Sequence, residues 1–215
     1  MQEEAVLRSM YDMKGLEKYI EKGVKERKLA LEKMTTIYEY RDLYSQIYLL
    51  ANKAGTTRNV KDIKQPKAVG DNPLIKDVTL ANSFQASVWY YYTRSIYLLH
   101  IGNFKKGYTI IKERIAFIER HPHQIANDPV PYLLALMNFS VACNELRKNE
   151  EFMNTLKKIR MIPIKTLLLR HKVFLFTCRQ ELSHYIENGQ YQKGIALVDE
   201  IKKDPKLLTK LMYIN

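Results

Sequence analysis

Cysteine occurs only twice, at Cys143 and Cys178, too few for a disulfide framework or a four-ligand zinc site. The expected setting is reducing and cytoplasmic. Glycine (8 residues) and proline (7) are scarce in a chain of 215, which argues against the many tight turns of a sandwich or barrel. Long apolar runs are missing too. No stretch without Lys, Arg, Asp or Glu exceeds 16 residues, and the one at positions 78–93 is broken by Thr79, Asn82, Ser83 and Gln85, whereas a membrane span needs roughly 18. No cationic start, apolar core and cleavage site mark a signal peptide, so neither secretion nor membrane insertion is expected. Catalytic signatures are also lacking: there is no Gly-rich phosphate loop, nucleophile elbow, His-Glu-x-x-His or Cys-x-x-Cys. His121-Pro122-His123 offers two imidazoles and no third ligand, and reads as an exposed loop. His100, His171 and His184 read as core or rim histidines, and the two cysteines as small buried hydrophobes. The expectation is a protein that is not an enzyme and carries no cofactor and no metal.

What is present is the composition of a folded chain with a core: 46% hydrophobic, 27% charged and 11% aromatic. The formal charge is +12, yet positions 1–50 hold nine residues of each sign. The excess therefore lies beyond Leu50, spread as +3 over 51–82, +3 over 83–129, +2 over 130–163 and +4 over 164–215. Short basic pairs recur, among them Lys105-Lys106, Arg147-Lys148, Lys157-Lys158 and Lys202-Lys203. Stacked helical units would align them into a ridge, but charge on an outer helix face ordinarily serves solubility.

From Glu3 to Leu50 the residues Val6, Met10, Met13, Leu16, Ile20, Val24, Leu31, Met34 and Tyr38 recur at mostly three- and four-residue steps. That spacing predicts amphipathic helix. Gly15 and Gly23 weaken it, so 1–50 is expected as a two-helix hairpin with a break before the Tyr-rich run. A strict coiled-coil seam fails because it would include Glu17 and Arg27. Residues 51–82, with Gly55, Pro66, Gly70, Pro73 and six cations, read as a long basic connection.

Beyond it the chain repeats a plan: a long apolar first helix, a reversal, and an amphipathic second helix. The units are 83–122, 130–163 and 165–205, and 206–215 reads as the start of a further first helix. Aligned on the aromatic residues Phe104, Phe152 and Tyr191, the reversals are 48 and 39 residues apart. Gly102 and Gly189 accept the left-handed conformation that ends a helix, with Asn149 as substitute. Each aromatic is expected to plug the hairpin base, and the small Gly107, Thr155 and Gly194 to let the helices approach. Asp128 before Pro129 predicts a capped helix start. First helices apolar on more than one face need cover from two directions, which an array of hairpins supplies.

The glycine, x, aromatic, x, x, small pattern of Gly102–Gly107 and Gly189–Gly194, with a closing proline, resembles the middle of the tetratricopeptide repeat (TPR). The resemblance covers about 83–205, and the whole chain is similar to uncharacterised tetratricopeptide-like proteins of Bacteroidota. The middle unit departs from the pattern by lacking the glycine. The resemblance implies an all-α solenoid wound as a right-handed superhelix, with a concave surface for a protein or peptide. Fifteen tyrosines, including Trp89-Tyr90-Tyr91-Tyr92, suggest which residues face a partner. Tyr90, Tyr91, Arg94, Asn138 and Arg179 are the candidates. The expected function is a non-enzymatic interaction scaffold. Two alternatives stand beside it: a nucleic-acid binder using the basic pairs and the 51–82 connection, and a module that forms homo-oligomers through the 207–215 end.

Overall fold

A computed structural model describes residues 13–54 and 69–203 of the chain, with side chains from 15–50 and 69–203. All regular structure among these residues is helical. The chain divides into two compact units, 1–93 and 94–215. The expected further helix at 206–215 lies outside the described residues, as does most of the basic connection.

The first unit is built on α1 (Met13–Ala54), a single helix of 42 residues. The break expected near Gly15 or Gly23 is absent, so the described part of the N-terminal hairpin is one rod. The reason is arithmetic: a mid-helix glycine costs only about 1 kcal/mol, and Glu, Lys, Leu, Met and Arg surround Gly23. The inner half of α1 is anchored where Tyr40 is fully buried with Ala86 and Tyr90. Residues 69–82 are not featureless. Asn72 caps the short α2 (Pro73–Lys76), accepting from the Leu74 N–H at 2.9 Å, and Asp77 caps a 3-10 turn at Val78–Leu80. Ser83 then caps α3 (Phe84–His100), its hydroxyl accepting from the Ala86 N–H.

The second unit carries α4 (Phe104–Glu119), α5 (Pro122–Asn127), α6 (Val130–Glu145), α7 (Asn149–Met161), α8 (Leu167–Glu187) and α9 (Tyr191–Lys202). Helix α5 occupies the span read as an exposed loop, and Pro122 sits in its first turn, where a missing N–H costs nothing. Asp128 does cap α6, accepting from the Val130 N–H at 3.0 Å. Contacts run α4 to α6, α6 to α7, α7 to α8 and α8 to α9. Eight side chains of the sixteen-residue α6 are buried, as expected for a first helix covered from two directions.

Three reversals share one geometry. The backbone N–H groups of Asn103, Lys148 and Gln190 each donate to the carbonyl five residues back at 2.8 Å, those of Leu98, Cys143 and Tyr185. This is the Schellman closure, and its left-handed residues are Gly102, Arg147 and Gly189. The middle unit therefore aligns differently from its sequence reading. Arg147 (φ 56°) takes the left-handed position assigned to Asn149, which instead opens α7. The register moves by three, so the fully buried Phe152 stands where Gly107 and Gly194 stand in the flanking units. The aromatic plug fails elsewhere too: Tyr191 is 63% exposed and Phe104 half-buried. Gly107 does mark a close approach, since a Cβ there would lie 2.8 Å from Leu99 Cδ2, whereas one at Gly194 would meet nothing nearer than 3.8 Å.

The strain at Arg147 is measurable. Gly102→Ala and Gly189→Ala should each lower unfolding free energy by about 1 kcal/mol in a denaturant titration, because alanine resists positive φ. Arg147→Gly should raise it by roughly 0.5 kcal/mol, as its 3.5 Å ion pair with Glu187 is exposed and worth little. An Arg147→Gly protein less stable than the parent would show that the turn is held by that pair.

Candidate binding groove

Tyrosine hydroxyls and carboxylates tie neighbouring helices of the second unit together. Tyr108 on α4 donates to Glu151 on α7 at 2.5 Å, and Lys148 pairs with the same carboxylate at 2.9 Å. Tyr132 on α6 donates to Glu119 on α4 at 2.6 Å, where Lys158 of α7 also bonds. On α8, Tyr185 donates to Glu181 at 2.7 Å and Arg160 of α7 meets the other carboxylate oxygen at 2.5 Å. Glu119 shows the balance of forces: burial pushes its carboxyl up, but the bonds from Lys158 and Tyr132 hold it below the usual range.

The third of these clusters borders a groove of about 520 Å³ between the end of α7, α8 and α9. Ile162, Val173, Phe174, Leu197 and Ile201 make its apolar walls, and Arg160, Arg170, Thr177, Glu181 and Glu200 its polar points. Sequence dictates this mixed lining. Thr177, Glu181 and Tyr185 are four apart, so they share one face of α8. Across that face Arg160 Nε donates to the Thr177 hydroxyl at 3.2 Å. The Arg160 side chain is 39% exposed while that of Glu181 is 10% exposed. The carboxylate is thus held inside, and part of the guanidinium remains open to an occupant.

Acid-base and nucleophilic chemistry find little here. Burial pushes the Cys178 thiol above its ordinary value despite the nearby Arg160, and such a thiol stays protonated at neutral pH. Burial and the bond to Glu181 push the Tyr185 hydroxyl up to about 12. Cys143, buried in α6, is likewise pushed up to about 12 by burial, with Glu151 adding to it. Among the described residues no group of three or more His, Cys, Asp and Glu side chains is arranged to hold a metal ion. What the groove can do is bind: bury an apolar side chain and orient a carbonyl or carboxylate at the guanidiniums.

The candidates read from sequence are scattered. Tyr90 is 4% exposed and packs edge-on against Tyr40, with ring centroids 6.3 Å apart, so it is core and not a partner surface. Tyr91 is half-buried against Tyr90. Much of the tyrosine surplus serves the same packing: Tyr44 stacks on Tyr92 at 4.9 Å and lies 5.8 Å from Trp89, with Arg41 close to the Trp89 ring. Arg94 is half-buried at the start of the second unit. Asn138 on α6 is half-buried, its amide nitrogen lacking a hydrogen-bond partner, and Arg179 on α8 is exposed. Neither lines the groove. The basic pairs are partly engaged, Arg147, Lys148 and Lys158 each meeting a carboxylate. The groove residues themselves were missed, although the spacing Thr177, Glu181, Tyr185 within an apolar helix was a visible signal.

Among the described residues no helix is long and apolar enough to cross a membrane. Compared with family models, curated proteins and solved structures, the chain matches none.

His184 reports on the packing beside the groove. It is 4% exposed, stacked on Phe152 at 4.7 Å, with Nδ1 3.2 Å from Asn144 Oδ1. Burial lowers its pKa from the usual 6.5, against the raising effect of Glu187. The unfolded chain then binds the proton more tightly than the folded one, so stability falls as pH drops through about 6.5 and levels off below the folded value. His184→Gln should flatten the thermal midpoint between pH 7.5 and about 5.5, where the parent declines. An identical decline in both proteins would assign the effect to other groups.

Proposed function

We propose that residues 94–203 belong to a TPR-like, right-handed α-solenoid, a non-enzymatic scaffold that holds a segment of a partner protein in the groove between α7, α8 and α9. The observation that carries this reading is the groove itself, apolar walls around a partly exposed guanidinium. Recognition of a peptide needs that combination, because buried apolar area supplies affinity while a few fixed polar points set orientation. Two further observations support it: contacts that pass from each helix to its neighbour along the chain, and the recurring Schellman reversal. The cellular setting of the proposal is the cytoplasm, where Cys143 and Cys178 remain thiols.

The test is selection of peptides from a display library against the whole protein, followed by affinity measurement. Phe174→Ala removes an apolar wall and Arg170→Glu reverses an exposed charge at the groove. Each should weaken a selected peptide by about ten-fold or more, while Lys106→Ala on the surface of α4 should not. No selectable peptide, together with RNA affinity that falls steeply with salt, would replace this reading with the nucleic-acid one.

A further inference from the structure

Helix α1 continues well beyond the core it anchors. No side chain between positions 15 and 39 is buried. Ile20 (37% exposed), Val24 (52%), Leu31 (65%), Met34 (52%) and Tyr38 (55%) nevertheless lie on one side. At 3.6 residues per turn these positions, with Leu16, Glu17 and Arg27, fall within an arc of about 100°. A stripe of that width on a solvent-facing helix is an interaction surface. Its two polar members are the obstacle to a coiled coil noted from sequence.

They cease to be an obstacle when a second copy runs the other way. We propose that two copies of this chain associate through the outer half of α1 as an antiparallel two-helix coiled coil centred near Lys22. In that alignment Ile20 faces Val24 of the other copy, and Glu17 faces Arg27. Two-fold symmetry makes each pairing occur twice. A parallel pairing instead sets Glu17 on Glu17 and Arg27 on Arg27, which like-charge repulsion disfavours.

Charge points to a copy of the chain as the occupant. Positions 15–39 hold six cations and five carboxylates within a chain of +12, so this segment is close to balance, gives a polyanion no particular purchase and meets its own copy with little net repulsion. The alignment does bring the two Glu21 side chains near each other. They are solvent-exposed, and Lys18 and Lys25 lie one turn away on the same helix, so the repulsion is small.

The experiment is sedimentation equilibrium of the full chain and three variants, with circular dichroism to check that helix content is kept. The parent should dimerise. Glu17→Arg and Arg27→Glu, each placing like charges face to face twice, should weaken the dimer by about ten-fold or more, and the double reversal should restore it. That restoration is specific to the antiparallel pairing. A parent that stays monomeric at every attainable concentration overturns the proposal, as does a dimer indifferent to the single reversals, because the stripe is then covered by something other than a copy of itself. None of these outcomes bears on the groove, whose peptide affinity is read separately.

Discussion

Helix α6 sets the terms for the second unit. With Tyr132, Leu133, Ala135, Leu136, Phe139, Ser140, Ala142 and Cys143 all buried, it has no single apolar face that one partner could cover. Two amphipathic helices are required, and α4 and α7 provide them. Apolar surface is worth roughly 25 cal/mol per Å² removed from water, so separating either neighbour would expose buried side chains of α6 at a cost the protein avoids. The short reversals follow from this demand, since α7 must return directly onto α6 and the chain turns within the three residues Leu146, Arg147 and Lys148.

Apolar burial does not by itself fix how far one helix slides along another. The tyrosine-carboxylate-cation clusters do. Each joins a hydroxyl, a carboxylate and a cation across at least two helices, and each carboxylate receives both bonds at 2.9 Å or less. A slide by one residue would leave Glu181, whose side chain is 10% exposed, without its guanidinium. Breaking a partly buried pair costs more than forming it contributes, so the clusters act chiefly against wrong registers. Two lysines, Lys148 and Lys158, are thereby engaged with the protein's own carboxylates.

Apart from α5, which was read as a loop, sequence periodicity located the helices of the second unit to within a few residues, because an apolar stripe of period 3.6 and a helix-ending glycine are local signals. It failed where the signal depended on three dimensions. Nothing in the string marks Arg147 as left-handed; Asn149 is the better intrinsic candidate, and only the Schellman bonds decide against it. Aligning Phe152 with Phe104 and Tyr191 used residue type, whereas the fold places it in a glycine's slot, stacked on His184. The N-terminal break was predicted from glycine propensity, which a long run of strong helix formers outweighs. The Tyr90 misreading has the same origin, since a tyrosine surplus fits a core and a binding surface equally well until a partner such as Tyr40 is seen. For the candidate groove, the polar spacing on α8 was legible, but Arg160 reaches it from α7 and no local pattern announces that.

Distribution of charge connects the two proposed surfaces. A positive excess spread over 51–215 sets like fields against each other wherever that part of the chain meets a copy of itself, over a Debye length of about 8 Å at physiological salt. A groove set among those charges is therefore suited to a partner of different composition, with a carboxylate to offer Arg160 or Arg170. The nearly balanced segment 15–39 of α1 has a weaker preference of that kind, and its specificity must come from order along the helix, Glu17 ten residues before Arg27. Raising the salt would then loosen peptide at the groove while leaving the apolar layers of α1 nearly unaffected, because screening weakens exposed charge pairs far more than buried hydrocarbon.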